Sequence, residues 1–596
     1  MSRRQTLLRV LLTLWLGIVT GVVCGASVLE RLPNDALGFV VVRDLARLDA
    51  RTEALMKVFN APFPGPLAFL KLAAGVSDGL DTHGELLVAA IPGERLKLCV
   101  WIPVEDYDRM IASLHGTTQE RIAAVTIAGE DVLMAKQGDW ALVMDPDQRA
   151  VMEALMDATP APQPRIVAWR PWIETNDVTV VLLPSGIRTA WTWLMRAGDP
   201  RSAGAPSPEI AVEDPFSEPA NEDTVGQSEG PAGDVWAIIR NSIHGYLREM
   251  PNLTSAIMET EAVGVSIRSD EQGNALASVK IACHDQWLPT NGDDGGGQMN
   301  VLPPSLYNEG EFVLSGAGRV PTSLAAEISS VYVRLLTSGL RSDFHTEFDH
   351  EAIDRLQDAV ERAVADIHSA EVLRRPGENK EGVYTNGFLV ARVGSSADFV
   401  AHASEVMRLW NEMSHAAGGE TRLVFETDKP RIANLEATHF SIDMAAAMGA
   451  PGLPEVRQSM EQLFGAGGKL RIYLVPIDDH TVLLATATEE QTAAATQVLT
   501  LGQTPRLDRP PLQTANQLLP QQAAWRLFFS PHGYTSWLKR QMDAVLGPII
   551  GGPIVREFPK SAPVGIAGGF DQQELWIDAA VPVDTIHQAA AYLQQR

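Results

Sequence analysis

The sequence predicts an α+β protein made of two related domains from an internal duplication. Each domain is expected to be a mainly antiparallel sheet with helices packed on one face. Three observations predict this. Strand-like runs come as hairpins with helices between them, not in regular strand–helix alternation. Residues 178–193 (VTVVLLPSGIRTAWTW) and 525–539 (WRLFFSPHGYTSWLK) align without a gap through an apolar run and a Pro-x-Gly, Pro184 opposite Pro531 and Gly186 opposite Gly533. The chain has 596 residues, 45% of them apolar and 20% charged, which is globular composition and too much for one ordinary core.

Other segments match in the same order. Leu32-Pro33 pairs with Leu302-Pro303, and the strand and helix of 140–156 pair with 482–499 after a two-residue slip. That slip keeps every side chain on its own face, because strand periodicity is two. Val263-Gly264-Val265 pairs with Val564-Gly565-Ile566, and Cys283 falls opposite Val583.

In chain order, residues 1–29 read as a signal peptide or N-terminal membrane anchor. Arg3, Arg4 and Arg9 precede 10–29, which carry no charge. Cleavage after Ala26 and an uncleaved span over 10–29 are both open, and either places the bulk of the chain outside the cytoplasm, in the periplasm or cell envelope. The first domain covers 30–290. Leu-Gly-Phe-Val-Val-Val from Leu37 reads as a buried strand, 44–59 as helix, and 85–91 and 96–102 as strands joined at Pro92-Gly93. Helix is expected at 104–114, strands at 124–127, 132–136 and 140–144, and a helix after Asp145-Pro146, a suitable cap followed by a suitable first residue. Residues 198–234 hold six prolines and nine acidic residues against one arginine. Such a stretch cannot bury enough surface to offset ordering entropy and reads as a disordered insertion. Helix 235–248 and a hairpin over 261–283 close the domain.

Residues 291–299 are the Gly-rich linker, and 300–596 form the second domain. Its expected strands are 311–315, 382–393, 422–426, 437–442, 470–475, 481–487, 525–529, 564–567 and 574–583. Its expected helices are 322–336, a long amphipathic one at 348–373, 396–413, one beginning at Thr488-Glu489-Glu490, one after Pro531, and 584–594.

The formal net charge of −26 disfavours a nucleic-acid partner, since phosphate binding needs clustered Lys and Arg. Besides Cys24 in the leader, only Cys99 and Cys283 occur. They are expected as two buried, inert thiols, with one bridge between neighbouring strands as the alternative. The exported start, the Leu32-Pro33-Asn34-Asp35-Ala36 entry into a Val-rich strand and the duplicated strand–helix units resemble a class of large exported proteins of planctomycete-type bacteria. The resemblance implies cell-envelope or periplasmic placement and brings no catalytic residues with it.

No Cys-x-x-Cys and no His-Glu-x-x-His occurs, and no catalytic, cofactor-binding or metal residue is assigned. The densest polar cluster is Asp343, His345, Glu347, Asp349, His350 and Glu351. It suits a divalent metal by residue type, but acidic residues at a helix start, with Asp349 as cap, explain it more simply. Trp191, Trp193 and Trp537 are read as packing at strand–helix junctions, with an aromatic ligand platform as the alternative. Pro184/Gly186 and Pro531/Gly533 are read as turn geometry, Pro fixing φ and Gly allowing a positive φ, with repeated turns rimming a common cleft as the alternative. Phe464-Gly-Ala-Gly-Gly-Lys469 is read as a turn before a strand. His284 and His532 lack partners in sequence. The expected function is a non-catalytic binding or structural scaffold of the cell envelope, with a protein or an apolar ligand as partner. A carrier of lipid or another apolar ligand, and an enzyme whose residues converge only in three dimensions, are the alternatives.

Overall fold

The computed structural model describes residues 27–197, 257–283, 311–319, 350–416, 425–447, 454–502, 512–550 and 555–594. Short breaks occur at 61–64, 69–70, 72–74, 77, 94–95, 120, 158–162, 378–380 and 572–573, and residues 329 and 333 are described singly. The leader, the acidic insertion, the linker and most of the His345 cluster lie outside these residues. Among the described residues no helix is long and apolar enough to cross a membrane. The chain divides into two compact units, Met1–Leu288 with Phe570–Ile577, and Pro289–Gly569 with Asp578–Arg596.

The first unit contains β1 (Gly38–Val42), α1 (Leu45–Phe59), β2 (Leu86–Ile91), β3 (Lys97–Pro103), α2 (Tyr107–Ser113) and β4 (Thr117–Gln119). It continues with β5 (Ile122–Ile127), β6 (Glu130–Gln137), β7 (Trp140–Met144), α3 (Arg149–Asp157), α4 (Pro164–Thr175), β8 (Val178–Leu182), α5 (Pro184–Ala197), β9 (Ala262–Ser269) and β10 (Ala275–Ala282). The strands stand in the order β4-β5-β6-β7-β3-β2-β1-β8-β9-β10, and every pair is antiparallel. Local chemistry sets the ends of α1: Asp44 accepts from the Arg47 amide at 2.8 Å, and Asn60 stops the helix in the left-handed conformation.

Helices on one face, the arrangement expected from sequence, are not what this unit has. Leu45, Leu48, Met110 and Ile111 pack with Val42, Leu86 and Val125 on one side of the sheet. Met152, Ile166, Trp169 and Ile173 pack with Val41, Leu87 and Leu142 on the other. Consecutive residues of β1, β2 and β7 therefore enter different cores. Strands that are apolar at every position carry this signature of burial on both faces. α4 is unassigned in the sequence reading, and it carries two prolines, Pro164 and Pro171, which ordinarily disfavour a helix. Pro164 occupies the first turn, where no amide hydrogen is needed, and Ile166, Trp169 and Ile173 make one buried stripe.

The second unit contains β11 (Leu314–Arg319), α6 (His350–Ala365), β12 (Ile367–Arg374), β13 (Gly387–Val393), α7 (Ser396–Ala416), β14 (Phe425–Asp428) and a small ribbon of β15 (Arg431–Ile432) and β16 (Leu435–Glu436). Then come β17 (Thr438–Asp443), α8 (Met444–Ala447), α9 (Pro454–Phe464), β18 (Lys469–Asp478), β19 (Thr481–Thr486), α10 (Glu489–Thr500) and α11 (Leu512–Leu518). β20 (Trp525–Phe529), α12 (Pro531–Ile550), β21 (Val564–Asp571), β22 (Glu574–Val581) and α13 (Val583–Gln594) end the chain. The paired strands run β14-β17-β18-β19-β13-β12-β11-β20-β21, again all antiparallel. Setting the ribbon aside, this is the order of β4-β5-β6-β7-β3-β2-β1-β8-β9.

The single long helix expected over 348–373 is two elements, α6 and then β12. After Ala365 the inward positions become Glu371 and Leu373, a period of two in place of 3.6. In chain order α6 lies between β11 and β12, as α1 lies between β1 and β2.

α5 and α12 both begin at the proline of Pro-x-Gly, the position proline favours. Neither Gly186 nor Gly533 has a positive φ, contrary to the turn geometry expected of them. Each lies against a carbonyl at the entry to the first strand of its unit. A Cβ on Gly186 would come within 1.8 Å of Leu37 O, and one on Gly533 within 1.9 Å of Phe312 O.

Candidate functional site

A pocket of about 510 Å³ opens in the second unit where five strands end. Its floor is one cross-strand row. Phe529 pairs with Leu314, Leu314 with Arg374, Arg374 with Gly387, and Gly387 with Thr486. Gly387 is the gap in that row. A Cβ there would lie 2.7 Å from Arg374 Nη1 and 2.4 Å from Thr486 Oγ1, so its absence lets the guanidinium lie across the strand.

The walls come from three places. The loop before β13 folds onto the end of α9, where the amides of Val383 and Tyr384 donate to the carbonyls of Gln462 and Leu463 at 3.0 and 2.7 Å. Those carbonyls are in the last turn of the helix and have no intrahelical donor. Gly382 and Gly465, both at positive φ, make the approach possible; a Cβ on Gly382 would meet Gly465 N at 2.3 Å. This contact sets Tyr384 on Phe464, ring centroids 5.1 Å apart and nearly parallel. The third wall is the first two turns of α12. Trp537 stands edge-on to Tyr384 at 5.8 Å, Tyr534 lies 6.1 Å from Trp537, and Phe529 is 5.5 Å from Tyr534. Polar ends are tied back: Trp537 Nε1 donates to Val383 O at 3.2 Å, and Gln541 donates to the Tyr384 hydroxyl at 2.6 Å. The rings are thereby held in place around the pocket.

Among the described residues Arg374 is the one charged side chain in the lining. Nη1 donates to Tyr384 O at 2.9 Å and to Thr486 Oγ1 at 3.5 Å, and Nη2 donates to Val383 O at 3.1 Å. All three acceptors are neutral. Burial pulls its pKa below the ordinary arginine value, while Tyr384 pulls the other way. Burial likewise pushes the Tyr384 phenol up.

A second, polar depression of about 240 Å³ lies on β14, β17 and β18, lined by Glu426, Asp428, His439, Ser441, Lys469 and Arg471. Its charges answer one another: Lys469 bonds Glu426 at 2.6 Å, and His439 Nδ1 bonds Asp428 at 2.8 Å. The His439 ring stacks on Tyr473 at 4.4 Å, and its Nε2 is buried without a partner among the described residues. Comparison with protein-family models, with curated proteins and with solved structures finds no match.

Of the residues singled out in sequence, Trp537 and Phe464 line the pocket. Trp191 is half-buried on α5 in the other unit, and the side chain of Trp193 lies outside the described residues. Residues 343–349 and His284 also lie outside them; His350 and Glu351 begin α6. His532 has partners after all, Phe558 O at 2.5 Å and Glu311 Oε1 at 3.0 Å. Burial pushes the Glu311 carboxyl up, but His532 and Lys560 outweigh it and hold the pKa below the usual value. Residues 465–468 form the tight turn expected before β18, with three glycines at positive φ. Cys99 and Cys283 are both free; Cys99 is buried and burial pushes its thiol up to about 12, while Cys283 is only half-buried. The sequence reading finds no Gly-x-Ser-x-Gly elbow, yet that spacing is present in the chain. Gly75-Val76-Ser77-Asp78-Gly79 has Gly-x-Ser-x-Gly spacing, but Ser77 lies outside the described residues, and Leu80 after it makes an isolated bridge to Val104 instead of starting a helix. A nucleophile elbow needs strand, turn and helix in that order.

Proposed function

We propose that this is an exported, non-catalytic binding protein whose second unit holds a small, largely apolar molecule in the pocket between Phe529, Tyr534, Trp537, Tyr384 and Phe464. The observation that carries the reading is the aromatic lining itself. Five rings in mutual contact surround about 510 Å³, within the size range of small-molecule sites. Export rests on Arg3, Arg4 and Arg9 preceding an uncharged run.

The two units are read as copies of one ancestral module. Nine strands in the same order and two Pro-x-Gly helix starts pressed on an entry carbonyl support that reading. The pocket is then a feature of one copy. At the matching register positions the first unit has Leu182, Gly38, Ala90 and Leu98 in place of Phe529, Leu314, Arg374 and Gly387.

Titration of the full chain with the neutral probe 2-(2-naphthyl)ethanol, followed by tryptophan fluorescence, tests this. Saturable binding at one site is expected, weakened about tenfold by Trp537→Ala, equivalent to roughly 1.4 kcal/mol of lost ring contact. Binding that does not saturate, or that is equal in the variant, would rule the pocket out.

A further inference from the structure

We infer that the molecule held in this pocket is an apolar carboxylic acid, its acid group seated on Arg374. The inference rests on the pocket reading and narrows it to one chemistry.

An arginine at the floor of an apolar pocket has to be explained. Arginine has five N–H groups and keeps its charge in proteins. Three donations, to Tyr384 O, Val383 O and Thr486 Oγ1, use three of them. Nε–H and one hydrogen of Nη2 remain, and together they form the edge that grips a carboxylate with two parallel bonds. No carboxylate pairs with Arg374 among the described residues, and no acidic side chain is in the lining. Neutral acceptors orient a guanidinium without cancelling its charge, and a cation drawn out of water is costly until an anion joins it.

The fold does not demand the residue. Ala90 occupies the same register position in the first unit, between Gly38 and Leu98. In the second unit, Gly387 is the residue that clears space for the Arg374 side chain, and Tyr384 and Val383 hold it with the same loop that builds the aromatic wall. The cation and the rings are therefore placed by one device. A ligand with an apolar body against the rings and a carboxylate on the floor satisfies both at once.

The experiment compares 2-naphthylacetate with 2-(2-naphthyl)ethanol, which has the same ring system and a neutral end group, on the full chain and on Arg374→Met and Arg374→Lys. In the native protein the acid should bind about tenfold more tightly, the size expected for one charge-assisted pair in a site open to water. Arg374→Met should erase that preference, the acid losing about tenfold more affinity than the alcohol, and Arg374→Lys should restore part of it. Equal affinity for acid and alcohol in the native protein overturns the inference and leaves the pocket reading standing; that arm needs no variant to fold. Binding of neither probe overturns both. Acid preference that survives in a folded Arg374→Met also overturns it, since another cation would then be responsible.

Discussion

Gly186→Ala is expected to destabilise the first unit by about 3 kcal/mol, and Gly533→Ala the second by a similar amount. Two effects oppose each other. Both glycines lie in the first turn of a helix, where alanine is favoured by up to about 1 kcal/mol. Against that stands the approach of a main-chain carbonyl, Leu37 O or Phe312 O, to within 1.8 or 1.9 Å of where the new Cβ must sit. A carbonyl cannot rotate away as the end of a side chain can. Leu37 O also accepts from the Leu183 amide at 2.9 Å, and the Leu37 amide donates to Ala90 O at 2.8 Å, so yielding would pull on two strand contacts at once. The steric term should win. Gly129→Ala is the control: Gly129 has a positive φ and nothing within 4 Å of a Cβ, so only backbone strain of about 1 kcal/mol applies. Denaturant unfolding of the three variants checks the ranking. If Gly186→Ala proved neutral or stabilising, helix propensity would have prevailed and the close approach would be wrong.

Those two glycines show what could be read from the residues and what could not. The alignment of Pro184/Gly186 with Pro531/Gly533 located two strand–helix junctions, and both are present at β8–α5 and β20–α12. Their sequence could not say why glycine was needed, because the reason is a carbonyl about 150 residues earlier in one unit and about 220 in the other. Most hairpins were legible for the same reason the turns were: Gly-Glu at Gly129-Glu130 and Gly-Asp at Gly138-Asp139 interrupt apolar runs of strand length. β12 was hidden, since Ala365–Leu373 continues an amphipathic helical pattern closely enough to be read into it. Arg374 was lost with it. The pocket could not have been found from spacing at all. Its floor takes one residue from each of five strands, and its walls join residues 384, 464 and 537, which only the sheet order and the α9 end bring together.

Asp177→Asn should flatten the dependence of stability on pH between about pH 5 and pH 8. Asp177 enters β8 with its main chain committed on both sides, its amide donating to Ile267 O and its carbonyl accepting from Arg43. The side chain is left in the interior at 2% exposure, and neither carboxyl oxygen has a hydrogen-bond partner among the described residues. Burial pushes its pKa up to about 8, against the pull of Arg51 and Arg47 acting through space and a weak contribution from the Ser269 amide. Arg51 cannot close on it fully, because its Nη1 is engaged with Ser269 O at 2.7 Å. In the unfolded chain an aspartate titrates near 3.9. Between about 4 and 8 the folded protein therefore holds a proton that the unfolded chain has lost, so stability falls as pH rises through that window and levels off above it. At about 1.4 kcal/mol per pH unit the full shift sets the upper limit; relaxation and water entry reduce it to roughly 2–3 kcal/mol. The amide of the variant is also left without partners, at a cost of about 1–3 kcal/mol that does not change with pH. The decisive quantity is thus the difference between native and variant unfolding free energies followed from pH 5 to pH 9, in which that constant cost appears only as an offset. A difference that moves by about 2 kcal/mol in favour of the variant at high pH is the expected result, and parallel profiles would mean that the Asp177 carboxyl ionises in the folded chain as it does in the unfolded one.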